Sequence, residues 1–359
     1  MSIPTTMRAA KVGVDKHHYD LVTLPVPQPK GYECLLKIGA AGFCHTDTMV
    51  LEGVFGGNKV IGSHEPSGTV VALGEDAERD GRVKLGQRVA GMLKRDVCFE
   101  CSDCKLVDWI YCQKGLNSGL DIDGFFSEYA IVDSRFCATL PDNMSFEQAA
   151  PLTCAGLTIY KAIKLAVEKK GILPGKGILA ISGLGALGHL GTQMAKAMGY
   201  TTIGIDARPG PISLANEMKH KPDLTIDASK VNVEKAKEMI NDLRPKGYFG
   251  WEGVDAIIMC ADAVASQRYA INLLVPHGLM VIVAQPPTYT FEFRDFIFKD
   301  ISVIASMHGN EIQLQECVDL CAKEGIRTET TTFTLDQHKE MCDAIHQDGW
   351  KGKAVMVFE

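Results

Sequence analysis

The chain has 359 residues, enough for about two domains of roughly 150 residues each. Its formal net charge is −7 and no basic cluster stands out, which disfavours nucleic-acid binding, because neutralising phosphates takes grouped Lys and Arg. No apolar run approaches the roughly 20 residues of a membrane span, and the opening "MSIPTTMRAAKVG" has no apolar h-region, so the expectation is a soluble, cytoplasmic protein.

Residues 7–150 are rich in Gly and in short β-branched runs such as "GTVVALG", "RVAGML" and "EYAIV". They predict many short strands joined by tight turns, a β-rich module. Inside it, "GFCHTDT" at 42–48 sets Cys44, His45, Thr46 and Asp47 in a row. Such a run can serve as a metal site, as a proton relay, or only as a polar turn. "IGSHEPSG" then supplies His64 and Glu65.

The chain carries 12 cysteines. In a reducing compartment these read as metal ligands or buried thiols rather than disulfides. The segment "CFECSDCKLVDWIYC" is C-x2-C-x2-C-x7-C, with Cys98, Cys101, Cys104 and Cys112. Four thiolates this close can converge on one tetrahedral ion, as in closed structural zinc sites. An iron–sulfur cluster uses the same donors, and a zinc ribbon for nucleic acid is a third reading, which the acidic charge opposes.

From about 156 the texture changes. "KGILAISGLGALGHLGTQMAKAMGYTTIGID" reads as strand, glycine turn, helix and second strand, and the alternation continues through "VDAIIMCADA", "AINLLVPHG" and "LMVIVAQ". Strand–helix alternation predicts a parallel, doubly wound sheet. Gly183, Gly185 and Gly188 form G-x-G-x-x-G, with Leu184, Ala186 and Leu187 between them. The first glycine permits the tight turn, the second lets the backbone approach a pyrophosphate, and the third allows close helix packing. Asp206 stands where an acid should accept the adenosine ribose, which favours NAD; Arg208 is the feature that points toward NADP. Beyond about 300 come a helical stretch, "EIQLQECVDLCAKEG", and a final strand, "KAVMVFE". The expected layout is a module over 1–155 completed by 300–359, with a nucleotide-binding domain over 156–299. "APLTCAGLTIY" places Cys154 at its edge. Two cysteines and one histidine around zinc, with one position open, are the arrangement known from alcohol dehydrogenases.

Taken together, "GFCHTD", "GSHEPSGTVV", "CFECSDCKLVDWIYC", "DGFFSEYA", "PLTCAGLTIYKAI", "SGLGALGHLGTQMAKAMGY" and "GIDA" resemble the zinc-dependent medium-chain alcohol dehydrogenases, in texture the tetrameric yeast type. The resemblance spans nearly the whole chain. It implies a GroES-like β-rich catalytic domain plus a Rossmann domain, two zinc ions per chain, NAD (with NADP as the alternative), an alcohol or aldehyde substrate, and a homo-oligomer, tetramer before dimer. It implies that Cys44, His64 and Cys154 bind the catalytic zinc with Glu65 as alternate ligand, and that Cys98, Cys101, Cys104 and Cys112 bind the structural zinc. Asp47 would orient His64, Thr46 would take the substrate proton, and His45 and Lys353 would lie at the cofactor pyrophosphate. Thr158 would pack by the nicotinamide, and Val283 would offer its backbone to the carboxamide. The chain departs from the pattern at Met49, where many relatives have a relay histidine that Glu52 or water must replace, and at Lys353, where Arg is usual. In the substrate pocket Phe55 and Leu93 stand where ethanol-preferring relatives have Trp, and Gln285 adds a polar group, so an alcohol bulkier than ethanol is expected. The rival readings are an NADPH-dependent reductase of the same superfamily and a non-catalytic zinc- and nucleotide-binding sensor.

Overall fold

The computed structural model describes residues 3–57, 59–245, 250–347 and 349–358. The chain divides into two compact units: Met1–Leu157 with Gly309–Ala322 and Thr328–Glu359, and Thr158–His308 with Lys323–Arg327.

The first unit is built on a seven-stranded sheet whose central element is the long strand Glu33–Phe43. Its near-continuous apolar run is buried along most of its length, and it pairs antiparallel with Lys353–Val357, Glu65–Leu73 and Tyr129–Asp133. Phe125, Phe126, Leu35, Leu36 and Ile38 fill the core of this unit, which also takes in Met356 from the C-terminal strand. The strand register matters for function. Gly42 lies opposite Glu65, and Phe43 lies opposite Ala354. One end of three adjacent strands therefore gathers Cys44, His64, Glu65 and Lys353.

The second unit holds six parallel strands in the order Leu224–Asp227, Thr201–Asp206, Ile178–Ser182, Val254–Met259, Leu274–Ile282, Ser302–Ala305. Ile178–Ser182 is buried at every position, as a strand covered on both faces must be. Chain order reverses direction across the sheet at this strand, the switch point where open α/β sheets bind ligands, and the glycine turn follows it directly. This is a Rossmann sheet. It corrects the expected boundary at 300: Ser302–Ala305 pairs in parallel with Leu279–Ile282, so 300–308 belongs with the nucleotide unit, as does Lys323–Arg327. Among the described residues no single helix is long and apolar enough to cross a membrane.

Candidate active site

Cys44 caps the short helix His45–Leu51, and Asp47 returns its carboxylate to the Cys44 amide at 2.9 Å. The other Asp47 oxygen accepts the Ser63 amide at 2.9 Å. Asp47 thus pins the strand end bearing Cys44 to the loop bearing His64. Its Oδ2 stands 3.5 Å from His64 Nδ1, long for a hydrogen bond but close enough to orient a buried ring, leaving Nε2 to offer a metal. Cys154 joins them at the break between Ala150–Thr153 and Ala155–Lys170, where the helical path bends by 53°.

The ligand atoms of Cys44, His64, Glu65 and Cys154 all lie within 4.8 Å of one another. The Cys44 and Cys154 sulfurs are 4.0 Å apart. The hydrogen bond from the Cys154 thiol holds the Cys44 thiol well below its ordinary value, while the same contact and burial push Cys154 well above. Two half-buried thiols this close share a proton unless a cation lets both ionise. Burial opposes charge on His64, but Asp47 and Cys44 outweigh it and hold its pKa up. Burial raises the Glu65 carboxyl to about 7, against the opposing pull of Lys353. Glu65 Oε2 is buried without a partner, while Oε1 accepts from Lys353 Nζ at 2.7 Å. Two sulfurs, an imidazole and a carboxylate oxygen left unsatisfied form a donor set that fits zinc. Gly42 makes room for it: a Cβ there would lie 1.9 Å from Glu65 Oε2.

The second cluster, Cys98, Cys101, Cys104 and Cys112, also has its four sulfurs within 4.8 Å. The Cys98 amide donates to Cys112 Sγ and the Cys101 amide to Cys98 Sγ, each at 3.4 Å. Amide donation, chiefly from Cys104, brings the Cys101 thiol down to about 6, and desolvation takes Cys104 up to about 12. The lobe is tied down by Trp109, whose Nε1 donates to Glu311 at 2.7 Å and whose ring stacks on Phe136.

In the nucleotide unit, Gly183 has φ +96, and a Cβ on Gly188 would lie 1.8 Å from the Gly183 carbonyl oxygen, so both positions require glycine. Gly185, Ala186 and Leu187 are partly exposed at the start of Ala186–Ala197, and Leu184 is buried. The Asp206 carboxylate accepts the Leu184 amide at 2.7 Å, closing the turn. Thr158 is half-buried, and the Val283 amide donates to the Met259 carbonyl, which leaves its own carbonyl as the group to offer.

Several expected positions read differently once placed. Lys353 is not turned to solvent as a phosphate contact would be: it is 2% exposed, with its ammonium on Glu65. Burial next to that carboxylate and the two cysteines is tolerable because their charges outweigh the desolvation and raise its pKa. Phe55 and Gln285 are exposed, whereas Leu93 is buried. His45 is exposed, Thr46 is half-buried, Met49 is half-buried and Glu52 is exposed. Sequence reasoning overlooked Ser63. It sits in the left-handed region at φ 71, donates its hydroxyl to the Gly42 carbonyl at 2.8 Å and accepts the Glu65 amide at 3.2 Å. The signal was indirect: Gly119 and Gly124 leave no room for a Cβ against the Ser63 carbonyl, and only the folded chain brings them there. Tyr19 was overlooked as well; its buried ring packs against Gly62, with no hydrogen-bond partner for its hydroxyl.

Family models match in two places, an alcohol dehydrogenase GroES-like domain over 30–142 and a zinc-binding dehydrogenase domain over 186–323. An alcohol dehydrogenase of Rhizobium meliloti is 30% identical over 355 residues, covering 98% of both chains. The crystal structure of the alcohol dehydrogenase of Aeropyrum pernix superposes with a TM-score of 0.84 at 26% identity, covering 98% of this chain and 100% of that one. The structure of an acetophenone reductase of Geotrichum candidum in complex with NAD shares the fold, with a TM-score of 0.82 at 23% identity over 100% of this chain and 99% of that one. A Cys–His–Glu–Cys cluster at the strand ends of a GroES-like domain, a Rossmann sheet with its glycine turn at the switch point, and full-length similarity lead to one assignment: the chain belongs to the zinc-containing medium-chain alcohol dehydrogenase family and is an oxidoreductase.

Proposed function

We propose that this enzyme transfers hydride reversibly between NAD and a primary or secondary alcohol bulkier than ethanol. The observation that supports it most is the Cys44–His64–Glu65–Cys154 cluster, with His64 and Glu65 buried and one Glu65 oxygen unsatisfied. Zinc held there would supply a Lewis acid that lowers the pKa of an alcohol hydroxyl, and the nicotinamide would take the hydride. Thr46, half-buried beside Cys44, receives the hydroxyl proton. Met49 cannot carry that proton onward, so Glu52, exposed at the end of the same helix, or water takes it to solvent. Asp47 keeps the His64 ring oriented, and Lys353 balances the charge of Glu65, which would serve as an alternate ligand were zinc bound there. Cys98, Cys101, Cys104 and Cys112 hold a second, structural zinc.

Leu93 and Phe55, both smaller than Trp, enlarge the substrate pocket and set the substrate size. A homo-oligomer, tetramer before dimer, follows from the yeast-type resemblance. It is supported by the edge strand Ser302–Ala305, preceded by the exposed Phe293, Ile297 and Phe298. Twelve cysteines, those described all free, suit a reducing cytoplasm. The test is metal analysis, expected to give about two zinc ions per chain, and NADH formation across alcohols of increasing size with wild type and Leu93→Trp. Each well-packed methylene should add about 1–3 kcal/mol of preference in wild type, and Leu93→Trp should move the optimum back toward small alcohols. Ethanol as the best wild-type substrate, or an unmoved size profile in Leu93→Trp, rules out the enlarged pocket. The rival reading, an NADPH-dependent reductase, is favoured by the placement of Arg208.

A further inference from the structure

Asp206 ends its strand where a carboxylate is expected to accept two ribose hydroxyls, yet this carboxylate is already engaged by its own chain. Oδ1 accepts the Ala207 amide at 2.8 Å, the Arg208 amide at 3.0 Å and Arg208 Nε at 3.1 Å. Oδ2 accepts the Leu184 amide at 2.7 Å and Arg208 Nη2 at 3.0 Å. A carboxylate has about four lone-pair sites, so five donors leave it none to spare. The burial of the two side chains is unequal: Asp206 is 5% exposed and Arg208 is 63% exposed. What the pair turns to solvent is guanidinium. A Cβ on Gly185 would come within 3.5 Å of Arg208 Nη2, so the guanidinium also lies over the second glycine of the turn.

Building on the nicotinamide-dependent function above, we propose that Arg208 selects the coenzyme of this enzyme: its clamp on Asp206 makes the protein discriminate only weakly between NADH and NADPH. For NADH to gain its ribose contacts, Arg208 must first give up two charge-assisted hydrogen bonds. That displacement subtracts from the affinity of the 2′-hydroxyl form. For NADPH the clamp helps. The Asp206 charge, which would otherwise repel a 2′-phosphate, is neutralised by a bidentate partner, and the guanidinium keeps further N–H donors that fit phosphate oxygens. The preference therefore depends on the arginine two residues past the acid as much as on the acid itself.

The experiment measures Kd for NADH and NADPH on the full-length, zinc-loaded protein by fluorescence titration, with ADP and its 2′-phosphorylated form as probes of the adenosine end alone. Wild type should bind NADH and NADPH within about tenfold of one another. Arg208→Ala frees the carboxylate, so NADH and ADP should bind more tightly while NADPH and 2′-phospho-ADP weaken, together shifting the ratio by about tenfold to a hundredfold, the range of one charge-assisted bond. Arg208→Lys, a point charge without the fork, should fall between. A merely structural ion pair would change stability and leave the ratio where it was; that result, or a wild type that prefers NADH by more than about a hundredfold, overturns the proposal. If folded, zinc-loaded wild type binds neither dinucleotide, the nicotinamide reading itself fails and the proposal with it.

Discussion

The two cysteine-containing clusters differ in how the chain assembles them. The four-thiol lobe closes between Cys98 and Cys112, sulfurs 14 positions apart in sequence, and three of its four cysteines are partly exposed. The mixed cluster joins Cys44 to Cys154 across 110 positions, and its Glu65 is balanced by Lys353 across 288. His64 and Glu65 are buried, and Glu65 keeps an oxygen in reserve. A lobe of identical donors on a short loop saturates an ion and stabilises local chain. A site assembled from three strand ends and a helix break can mix donors, bury them and leave one unsatisfied, which chemistry requires. Under the proposed function, ligand spacing along the chain marks the structural site, whereas strand register makes the reactive one.

If that contrast is right, removing one sulfur from each cluster should have opposite consequences. Cys154→Ala should lower turnover by on the order of a thousandfold or more, equivalent to several kcal/mol of lost transition-state stabilisation, with the circular dichroism spectrum and melting temperature nearly unchanged. Near-wild-type turnover would remove Cys154 from the active centre. Cys112→Ser should leave activity within about tenfold of wild type, since the reactive donors are untouched, while zinc content drops and proteolysis opens the loop around 98–112. In small modules a structural zinc contributes on the order of 10 kcal/mol to folding. Here the loss should be smaller, because Trp109 still anchors the lobe through Glu311 and Phe136.

Lys353 sharpens the comparison from the electrostatic side, because the four-thiol lobe has no such counter-charge among the contacts of its described residues. Lys353→Met leaves a buried carboxylate beside two cysteines without its cation, and breaking a buried pair in this way costs about 3–5 kcal/mol. Urea unfolding should register that loss, and Lys353→Arg should recover most of it. Equal stability of Met and Arg variants would mean that the pair contributes nothing to folding.

The smallest effect expected is a baseline far from both clusters. His18 bridges Asp15 and Asp343 at 2.9 Å each, and its hydrogen bonds to them raise its pKa above 6.5. A histidine whose folded pKa is raised stabilises fully below its unfolded value near 6.5, and that contribution disappears as pH climbs through the higher folded value. With both aspartates largely exposed, solvent screening limits it to under about 1 kcal/mol. The melting-temperature gap between wild type and His18→Gln should be widest below about pH 6 and shrink as pH climbs through the raised folded pKa. A gap that does not vary with pH would place the interaction outside electrostatics.

How much of this was legible beforehand varies by residue. The glycine turn and the alternation of strand and helix in the nucleotide unit are local patterns, so they could be read directly from the residues. The four-thiol spacing is equally local. The boundary near 300 was misplaced because "ISVIAS" carries no mark of which sheet it will join; pairing with Leu279–Ile282 decides that. Ser63 escaped notice because its left-handed backbone is imposed by packing against Gly119 and Gly124 rather than by its own type. Arg208 was visible as a charge near Asp206, but not as a bidentate clamp.

The amino-acid sequence by itself determined the donor types, the helix and strand periods and the glycines at positions that exclude a side chain, because each depends on short-range sterics and chemistry. The tertiary structure alone decided which donors meet. Antiparallel register set Glu65 opposite Gly42 and Ala354, the neighbour of Lys353, opposite Phe43; burial raised the Glu65 pKa, the charges of Glu65 and the two cysteines raised that of Lys353 against its burial, and five convergent donors filled Asp206. Electrostatic balance is a sum over neighbours in space, and those neighbours lie as far as 288 positions apart along the chain.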